Sequence, residues 1–216
     1  MIHWLYERAL MQGITLLPSH ICFMITERDM QATPGKLAQV ITWCRSVNLQ
    51  FARSHGETTG DHESGGCAIK SVMIHISTPD PARMLPCLPA IWEVARQSRL
   101  SLHIGELTEV RGKGMDVCVA IGKSGRDEIA SCIRKMAHDK IPPAEVTEQT
   151  FEQYLTFPYT PDLVIKTGGY HLTDFLIWQA VYSELFFSDV NWEWFRKTDF
   201  LRALRDYQAR VRRFGK

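Results

Sequence analysis

The sequence predicts an α/β fold, with a mainly parallel central sheet flanked by helices. Short apolar runs of strand length recur along the chain, and segments in which apolar residues have helical spacing separate them. An alternation of this kind is typical of a sheet that helices cover. At 216 residues the chain is long enough to bury most of its unfolded surface. We therefore expect a single domain over residues 1–216.

The strands and helices follow in order from these patterns. Apolar residues at helical spacing indicate a short amphipathic helix over residues 2–13, which either covers the core of its own domain or docks on a membrane surface or a partner. Strands are predicted at 20–25, 72–77, 100–104, 116–121 and 163–165. Further helices are predicted at 36–47, 88–99, 127–138, 148–155 and 200–213. One more helix is expected to begin with Thr173 or Asp174 as its cap.

The composition excludes several classes of protein. The net charge of +1 argues neither for nor against nucleic acid, and no motif predicts a nucleic-acid partner. The six cysteines form no C-x-x-C pair, and several sit in apolar runs, which is typical of buried thiols in a reduced, intracellular protein. The sequence has no run of about 18 apolar residues and no signal-peptide core. We therefore expect a cytoplasmic protein.

One segment differs from the rest of the chain in its polar, glycine-rich composition. Residues 52–68 are rich in glycine, serine, threonine, histidine and charged residues, which predicts a mobile loop. The segment holds potential metal ligands, but their spacing fits no known closed site. The potential ligands are His55, Asp61, His62, Glu63 and Cys67.

The strand predicted at 163–165 ends in a motif suited to anions. Lys166, Thr167, Gly168 and Gly169 follow the apolar run. Glycine lets backbone N–H groups approach an oxyanion closely, and ligands of open α/β sheets gather at the carboxyl ends of strands. The motif therefore indicates either a phosphate site or an ordinary joint between a strand and a helix that carries a surface lysine.

Several motifs occur in an order that resembles one family. They are Gly125-Arg126-Asp127-Glu128-Ile129, Lys166 to Gly169, Phe175 to Gln179, Tyr182-Ser183-Glu184 and Arg213-Phe214-Gly215. As an ordered set they resemble the cis-prenyltransferases, which include undecaprenyl and dehydrodolichyl diphosphate synthases. The resemblance implies the fold of that family. It also implies an activity that adds isopentenyl diphosphate to an allylic diphosphate with Mg²⁺, while an apolar tunnel takes the growing chain.

The sequence departs from the family at the first diphosphate site. The family has M-D-G-N-x-R-W there, whereas this chain has Ile25-Thr26-Glu27-Arg28-Asp29-Met30. Thr26 stands in place of the aspartate that assists Mg²⁺, and the glycine, asparagine and tryptophan are missing. The following F-S-x-E-N-W-x-R motif keeps only Ser77 and Arg83. Negative charge near a diphosphate is repulsive without a metal, so Glu27 and Asp29 are weak replacements.

The second diphosphate site is altered, whereas the C-terminal motif is intact. The family has R-T-G-G-E-x-R-[IL]-S-N-F at the second site, where Lys166 replaces the first arginine and Thr173 replaces the serine. A lysine is a point charge and does not grip phosphate as a fork. Glu184 stands where the family has a metal-associated carboxylate. Arg213 and Gly215 match the R-x-G motif, which in the family crosses the dimer interface and completes the partner's isopentenyl diphosphate site.

The first diphosphate site lacks its key residues, whereas the C-terminal R-x-G motif is intact. In this combination the chain resembles the non-catalytic subunit of a heteromeric cis-prenyltransferase, as the Nogo-B receptor is in animals. The resemblance implies a catalytic partner in a heterodimer or heterotetramer, a long-chain polyprenyl diphosphate product, Mg²⁺ held mainly by the partner and peripheral membrane contact. Two-subunit enzymes without a membrane span resemble archaeal ones.

Two alternatives stay open at this point. One is a divergent homodimeric cis-prenyltransferase that uses Glu27, Asp29 or Glu184 for Mg²⁺, and the other is a phosphate- or lipid-binding scaffold. A group of late aromatic residues could either form the dimer face or belong to the core. These residues are Phe186, Phe187, Trp192, Trp194 and Phe195.

Overall fold

The computed structural model describes residues 2–55, 68–105, 107–157, 160–169 and 176–210. Seven strands in these ranges form one sheet. They are β1 His20–Thr26, β2 Ser71–Ser77, β3 Arg99–Ile104, β4 Leu107–Arg111, β5 Asp116–Ile121, β6 Leu163–Thr167 and β7 Glu184–Ser188. The order across the sheet is β4-β3-β5-β2-β1-β6-β7. Every neighbouring pair is parallel except β3 and β4, which confirms the predicted fold class.

Seven α-helices accompany the sheet in the described ranges. They are α1 Ile2–Gln12, α2 Glu27–Ala32, α3 Lys36–His55, α4 Leu88–Trp92, α5 Gly125–His138, α6 Glu148–Gln153 and α7 Lys197–Ala209. Short 3-10 helices lie at Pro81–Cys87, Glu93–Arg96, Pro143–Glu145 and Trp192–Trp194. No helix in the described part of the chain is long and apolar enough to cross a membrane.

Four predictions on helices are corrected. Helix α3 runs to His55, so residues 52–55 of the predicted mobile loop are helical, and 56–67 lie outside the described residues. The predicted helix 88–99 is a five-residue α4 between two 3-10 helices, and Arg99 already belongs to β3. Proline lacks an N–H donor, and this stretch contains Pro86 and Pro89, so a regular helix cannot form through it.

Helix α7 begins at Lys197 rather than at residue 200 and ends at Ala209. The helix expected after Thr173 is not found over 177–182, which form turns, while Thr173 and Asp174 lie outside the described residues.

The core fills both faces of the sheet. On one face α3 contributes five side chains that are completely buried against the strands. They are Leu37, Val40, Ile41, Cys44 and Val47. On the other face Phe157, Leu176 and Ala180 pack against a smaller group that includes Met24 and Val164. In the described ranges, side chains of the chain itself therefore pack against both faces of the sheet.

The late aromatic residues divide between core and surface. Trp192 and Phe195 are buried, and their rings lie 6.0 and 6.2 Å from that of Phe23. Phe186 and Phe187 are half-buried on β7, and Trp194 is 61% exposed. The core reading is therefore correct for Trp192 and Phe195 and wrong for Trp194.

The cysteines of the described residues are buried free thiols, as predicted. Cys67 lies outside these residues. Burial raises the pKa of Cys22 to about 12 and also raises the pKa of Cys44 and Cys118. These thiols stay protonated at neutral pH, so they serve packing rather than chemistry.

Candidate functional site

Three of the predicted site segments meet at the carboxyl edge of the sheet. In the strand register Thr26 lies opposite Ser77, and Met24 lies opposite Lys166. Because β1, β2 and β6 are parallel neighbours, their carboxyl ends open on the same edge. The structure therefore brings Thr26, Ser77 and Lys166 into one region, where the sequence motifs placed the two anion sites.

Thr26 is held in a capping box at the start of α2. Its hydroxyl donates to Asp29 Oδ2 over 2.7 Å and accepts from the Asp29 N–H over 3.2 Å. The Thr26 N–H donates to the same carboxylate over 2.9 Å. The pair satisfies N–H groups that a helix start leaves without partners. The carboxylate of Asp29 is thus bound to Thr26, and neither side chain is directed to a ligand.

Glu27 is likewise committed to its own chain. Its carboxylate accepts a hydrogen bond from the Thr78 hydroxyl over 2.6 Å and forms an ion pair with Arg83 over 3.1 Å. The Thr78 hydroxyl also accepts from the Asp80 N–H over 3.2 Å. Arg83, which matches an arginine of the resembled motif, therefore pairs with a carboxylate of its own chain.

Lys166 is buried, contrary to the alternative of a surface lysine. Its side chain donates to the Thr167 carbonyl over 2.9 Å and is 7% exposed. Burial lowers the pKa of Lys166, and the negative charge of Asp29 opposes this effect. The ammonium group and the Asp29 carboxylate thus act on each other at the same edge of the sheet.

The Thr-Gly-Gly turn after β6 is tight, and one of its N–H groups is occupied. Gly168 and Gly169 both have positive φ angles, of +70° and +126°. A Cβ on Gly168 would lie 2.9 Å from Asn191 Oδ1. The Gly168 N–H donates to the carbonyls of Ser188 and Val190, each over 3.1 Å. Gly168 therefore allows β6 to approach the segment after β7 closely, and its N–H donates to carbonyls of that segment rather than to an oxyanion.

Glu184 lies at the amino-terminal ends of the parallel strands, opposite the carboxyl edge. It begins β7 opposite Leu163, whereas Lys166 pairs with Phe187, three residues further along. At a rise of about 3.3 Å per residue, the two positions are roughly 10 Å apart along the strands. Glu184 forms an ion pair with Arg210 over 3.3 Å. Within one chain the structure does not bring Glu184 together with Lys166 or Thr26.

The described residues do not form a metal site. No group of three or more histidine, cysteine, aspartate or glutamate side chains among them could hold an ion. Glu27 and Asp29, the two carboxylates that directly follow β1, both accept hydrogen bonds within the chain. A Mg²⁺ ion prefers several oxygen ligands in octahedral geometry, which these two committed groups do not offer. Thr173, Arg213 and Gly215 lie outside the described residues, so their roles stay predictions.

Sequence reasoning missed a buried ion pair next to this edge. Lys123 Nζ lies 2.9 Å from Glu128 Oε2, with side-chain exposures of 8% and 1%. Lys123 also donates to the Thr156 hydroxyl over 2.8 Å, and Glu128 accepts from the Thr156 N–H. His103 packs edge-on against Phe157, and burial together with the charge of Lys123 lowers its pKa. A lysine directly after a buried strand and a glutamate in the next helical turn were the available signal.

Comparisons with known proteins agree with the fold and the motif order. A family model described as "Putative undecaprenyl diphosphate synthase" matches residues 95–215. A short-chain Z-isoprenyl diphosphate synthase of Mycobacterium bovis is 31% identical over 255 aligned residues, which cover all of this chain and 96% of that one. The (2Z,6E)-farnesyl diphosphate synthase of Mycolicibacterium smegmatis is 32% identical over 84% of this chain and 76% of its own length.

A third relative and two solved structures complete the comparison. The tritrans,polycis-undecaprenyl-diphosphate synthase (geranylgeranyl-diphosphate specific) of Thermococcus kodakarensis is 29% identical over 98% of this chain and 92% of its own. The lavandulyl diphosphate synthase of Lavandula x intermedia superimposes with a TM-score of 0.65 at 20% identity, over 92% of this chain and 98% of that one. A probable undecaprenyl diphosphate synthase of Campylobacter jejuni superimposes with a TM-score of 0.66 at 19% identity, over 92% of this chain and 99% of that one. The relatives come from different kinds of organism and do not assign the predicted archaeal source.

The alignments also show that this chain is short. The 255 positions aligned with the M. bovis protein span all 216 residues, so 39 of these positions have no residue in this chain.

Proposed function

The chain belongs to the undecaprenyl diphosphate synthase family of cis-prenyltransferases, and on this premise we propose that it is a non-catalytic subunit of a heteromeric enzyme. Its partner would be a catalytic cis-prenyltransferase that extends an allylic diphosphate with isopentenyl diphosphate. This chain would donate Arg213 and Gly215 to the isopentenyl diphosphate site of that partner. The catalytic partner would also hold Mg²⁺, because the carboxylates described in this chain do not fit the ion.

The observation that carries the proposal is the capping box at the end of β1. At the position where the resembled motif has its aspartate, Thr26 and Asp29 exchange hydrogen bonds and begin α2. We infer that this segment begins a helix in place of holding a ligand. A threonine hydroxyl has no charge with which to attract a metal ion, and the nearby carboxylates of Glu27 and Asp29 both accept hydrogen bonds within the chain.

Two further contacts support a site that has lost its substrate. Glu27 binds Arg83, and the N–H of Gly168 binds two carbonyls. Lys166 keeps a positive charge near the edge, but its ammonium group is folded onto the Thr167 carbonyl. The negative charge of Glu27 and Asp29 would oppose the binding of a diphosphate at this edge.

The packing of the sheet supports the same conclusion. A prenyl chain needs an apolar channel beside the sheet, whereas buried side chains of α3 and of the late aromatic group occupy that space on one face. Interiors packed in this way leave few voids larger than a water molecule. A subunit that only completes its partner's site needs no channel of its own.

The test is the incorporation of radiolabelled isopentenyl diphosphate. The chain is assayed with Mg²⁺ and either farnesyl or geranylgeranyl diphosphate, first alone and then mixed with a synthase-like protein from the same cell. We expect turnover only in the mixture. Turnover by the chain alone would contradict the proposal and would favour the homodimeric enzyme, with Glu27, Asp29 and Glu184 as the next residues to change. No effect on any synthase would leave the scaffold alternative.

The residue-level test is Arg213→Ala, with Arg212→Ala as the matched control. Loss of a charged contact to diphosphate is expected to reduce the activity of the complex by about 2–5 kcal/mol in transition-state free energy. Arg212→Ala is expected to leave turnover within about twofold. Size-exclusion chromatography checks that both variants still form the complex. Normal turnover of an Arg213→Ala complex would show that this chain donates no arginine.

Cytoplasmic localisation stays a prediction. No helix in the described ranges is long and apolar enough to span a membrane, and peripheral contact with a membrane stays a prediction as well.

A further inference from the structure

Strand β4 forms one end of the sheet and is exposed along its whole length. In the order across the sheet it has β3 on one side and no described strand on the other. All five of its residues are exposed, and the side chains of Leu107 and Val110 are 75% and 50% exposed. A strand at the end of a sheet presents N–H and C=O groups that can pair with a further strand. β4 is therefore a candidate surface for pairing with another chain.

The register of β3 and β4 determines which backbone groups point outward. Ile104 pairs with Leu107, so two residues join the strands, and Gly105 has the positive φ of +58° that the usual two-residue turn requires. Such a turn closes on a hydrogen-bonded pair, which is here Ile104 and Leu107. Hydrogen-bonded and non-hydrogen-bonded pairs alternate along antiparallel strands. The N–H and C=O groups of Thr108 and Val110 therefore point away from β3.

The exposed strand is held firmly on the domain. The Arg111 guanidinium lies 3.8 Å from the centre of the Trp92 ring, and the Thr108 hydroxyl lies 3.0 Å from His103 Nδ1. Directly after β4, Gly112 has a φ of +82°, and a Cβ there would collide with a carbonyl oxygen of the 3-10 helix before β3. Because the strand is fixed at both ends, a partner strand would not have to order a loose segment, which lowers the entropic cost of pairing.

The residues of β4 are complementary to a second copy of the same strand. If two copies run antiparallel about a two-fold axis at Glu109, each Thr108 lies opposite Val110 of the other copy, and their outward groups can form four hydrogen bonds. Glu109 forms an ion pair with Arg111 over 2.8 Å within one chain. In the pair of strands Glu109 would also lie diagonal to Arg111 of the second copy, within reach of its long side chain. Two guanidinium groups thus offset the repulsion between the two opposed carboxylates.

We propose that β4 pairs with β4 of a second copy of this chain, so that two seven-stranded sheets become one continuous sheet. A second copy fits this strand because the same five residues supply the donors, the acceptors and both signs of charge. The contact is small, so we expect a dissociation constant on the order of 10–100 µM. β4 and β7 lie at opposite ends of the sheet, so pairing at β4 leaves the β7 end uncovered. This inference does not depend on the proposed function.

The first test is sedimentation velocity of the full chain over about 1–300 µM, where we expect the mean mass to rise towards that of a dimer. Val110→Pro removes an outward N–H but none of the hydrogen bonds to β3, and Val110→Thr is the matched control that keeps this N–H. The proline variant is expected to pair at least about tenfold more weakly, and the control within about twofold of the unchanged protein. Circular dichroism checks that both are folded. A chain that stays monomeric, or equal pairing by both variants, would overturn the proposal.

A second test measures the register by disulfide cross-linking. Two copies of residue 109 would face each other as a non-hydrogen-bonded pair with Cα atoms about 4.5 Å apart, a separation that a disulfide can bridge. Two copies of residue 107 would be roughly 14 Å apart, too far for a disulfide. Glu109→Cys is therefore expected to give a covalent dimer on mild oxidation, and Leu107→Cys, although Leu107 is more than half exposed, is not. Both variants carry Cys67→Ser, because the cysteines of the described residues are buried. Equal cross-linking of the two variants, or none in either, would contradict pairing through β4.

Discussion

At the scale of single residues, the hydroxyl of Thr26 has a property that a carboxylate cannot have. It donates to Asp29 Oδ2 over 2.7 Å while it accepts from the Asp29 N–H. An aspartate at this position would accept from the N–H but could not donate, and two carboxylates would face each other at hydrogen-bond distance. The substitution that restores the family's aspartate therefore conflicts with the local structure.

We predict that Thr26→Asp destabilises the protein by about 1 kcal/mol or more, because two carboxylates would meet at hydrogen-bond distance, and that it produces no synthase activity. Thr26→Ser keeps both hydrogen bonds and is expected to be neutral. Urea unfolding at neutral pH, followed by tryptophan fluorescence, measures the two free energies. The difference in the free energy of unfolding between Thr26→Asp and the unchanged protein should decrease near pH 4, where one of the two carboxyl groups takes up a proton. A Thr26→Asp variant as stable as Thr26→Ser would show that the two carboxylates do not meet.

The histidines give a second prediction at this scale. Burial and the charge of Lys123 lower the pKa of His103, and burial lowers the pKa of His20. Below the ordinary value of 6.5 the unfolded chain therefore binds more protons than the folded one. The stability that these neutral histidines contribute is present above that value and is lost as pH falls towards their folded pKa values.

We therefore expect the free energy of unfolding to fall between about pH 7.5 and pH 5. His103→Asn, whose side chain can still form a hydrogen bond to the Thr108 hydroxyl that lies 3.0 Å from His103 Nδ1, is expected to show a smaller fall. Urea unfolding of both proteins across this range measures the difference, and the contribution of His20 should remain in the variant. The same pH dependence in both proteins would exclude His103 as a source of it.

At the scale of elements, the buried pair of Lys123 and Glu128 joins three segments of chain. Lys123 follows β5, Glu128 lies in the first turn of α5, and Thr156 belongs to the loop before β6. The pair fixes how α5 leaves the sheet. Removing one partner would leave the other charged and buried, which costs more than the pair contributes.

We predict that Lys123→Met lowers the free energy of unfolding by about 3–5 kcal/mol. The double variant Lys123→Met and Glu128→Leu is expected to recover a large part of that loss, because no unpaired charge remains. Arg96→Met is the control, since its ion pair with Glu93 is exposed and its loss should cost at most about 1 kcal/mol. Similar losses for Lys123→Met and Arg96→Met would show that Glu128 is solvated in the folded protein.

The elements that could be predicted from the sequence are those with strong patterns. The strands β1, β2, β5 and β6 are buried on both faces, so their apolar runs are continuous. Strand β4 is exposed along its whole length, and no residue of β7 but the last is buried, so neither has such a run. The region that holds Thr26 and Lys166 could be predicted, because each of these residues directly follows a predicted strand. The direction of the Lys166 side chain and the ion pair of Glu27 with Arg83 depend on contacts distant in sequence, which no local pattern reveals.

At the scale of the whole molecule, the packing of α3 against the sheet limits what this chain can bind alone. A prenyl chain that entered beside the sheet would have to displace side chains such as Val40 and Ile41, which are completely buried. Displacement of well-packed side chains costs about 1–3 kcal/mol even for small additions to a core. The apolar part of an allylic diphosphate therefore finds no prepared space over the face that α3 covers.

We predict that farnesyl diphosphate does not stabilise the isolated chain. A ligand with micromolar affinity would add about 4 kcal/mol at 1 mM, which for a protein of this size raises the melting temperature by about 8–16 °C. We expect a rise of less than about 1 °C beyond that given by inorganic diphosphate, which serves as the control for charge alone. Differential scanning fluorimetry of the isolated chain measures both shifts. A rise of several degrees with farnesyl diphosphate and none with inorganic diphosphate would mean that the covering helices open to admit a prenyl chain, and a subunit without its own substrate channel would then be the wrong description of this protein.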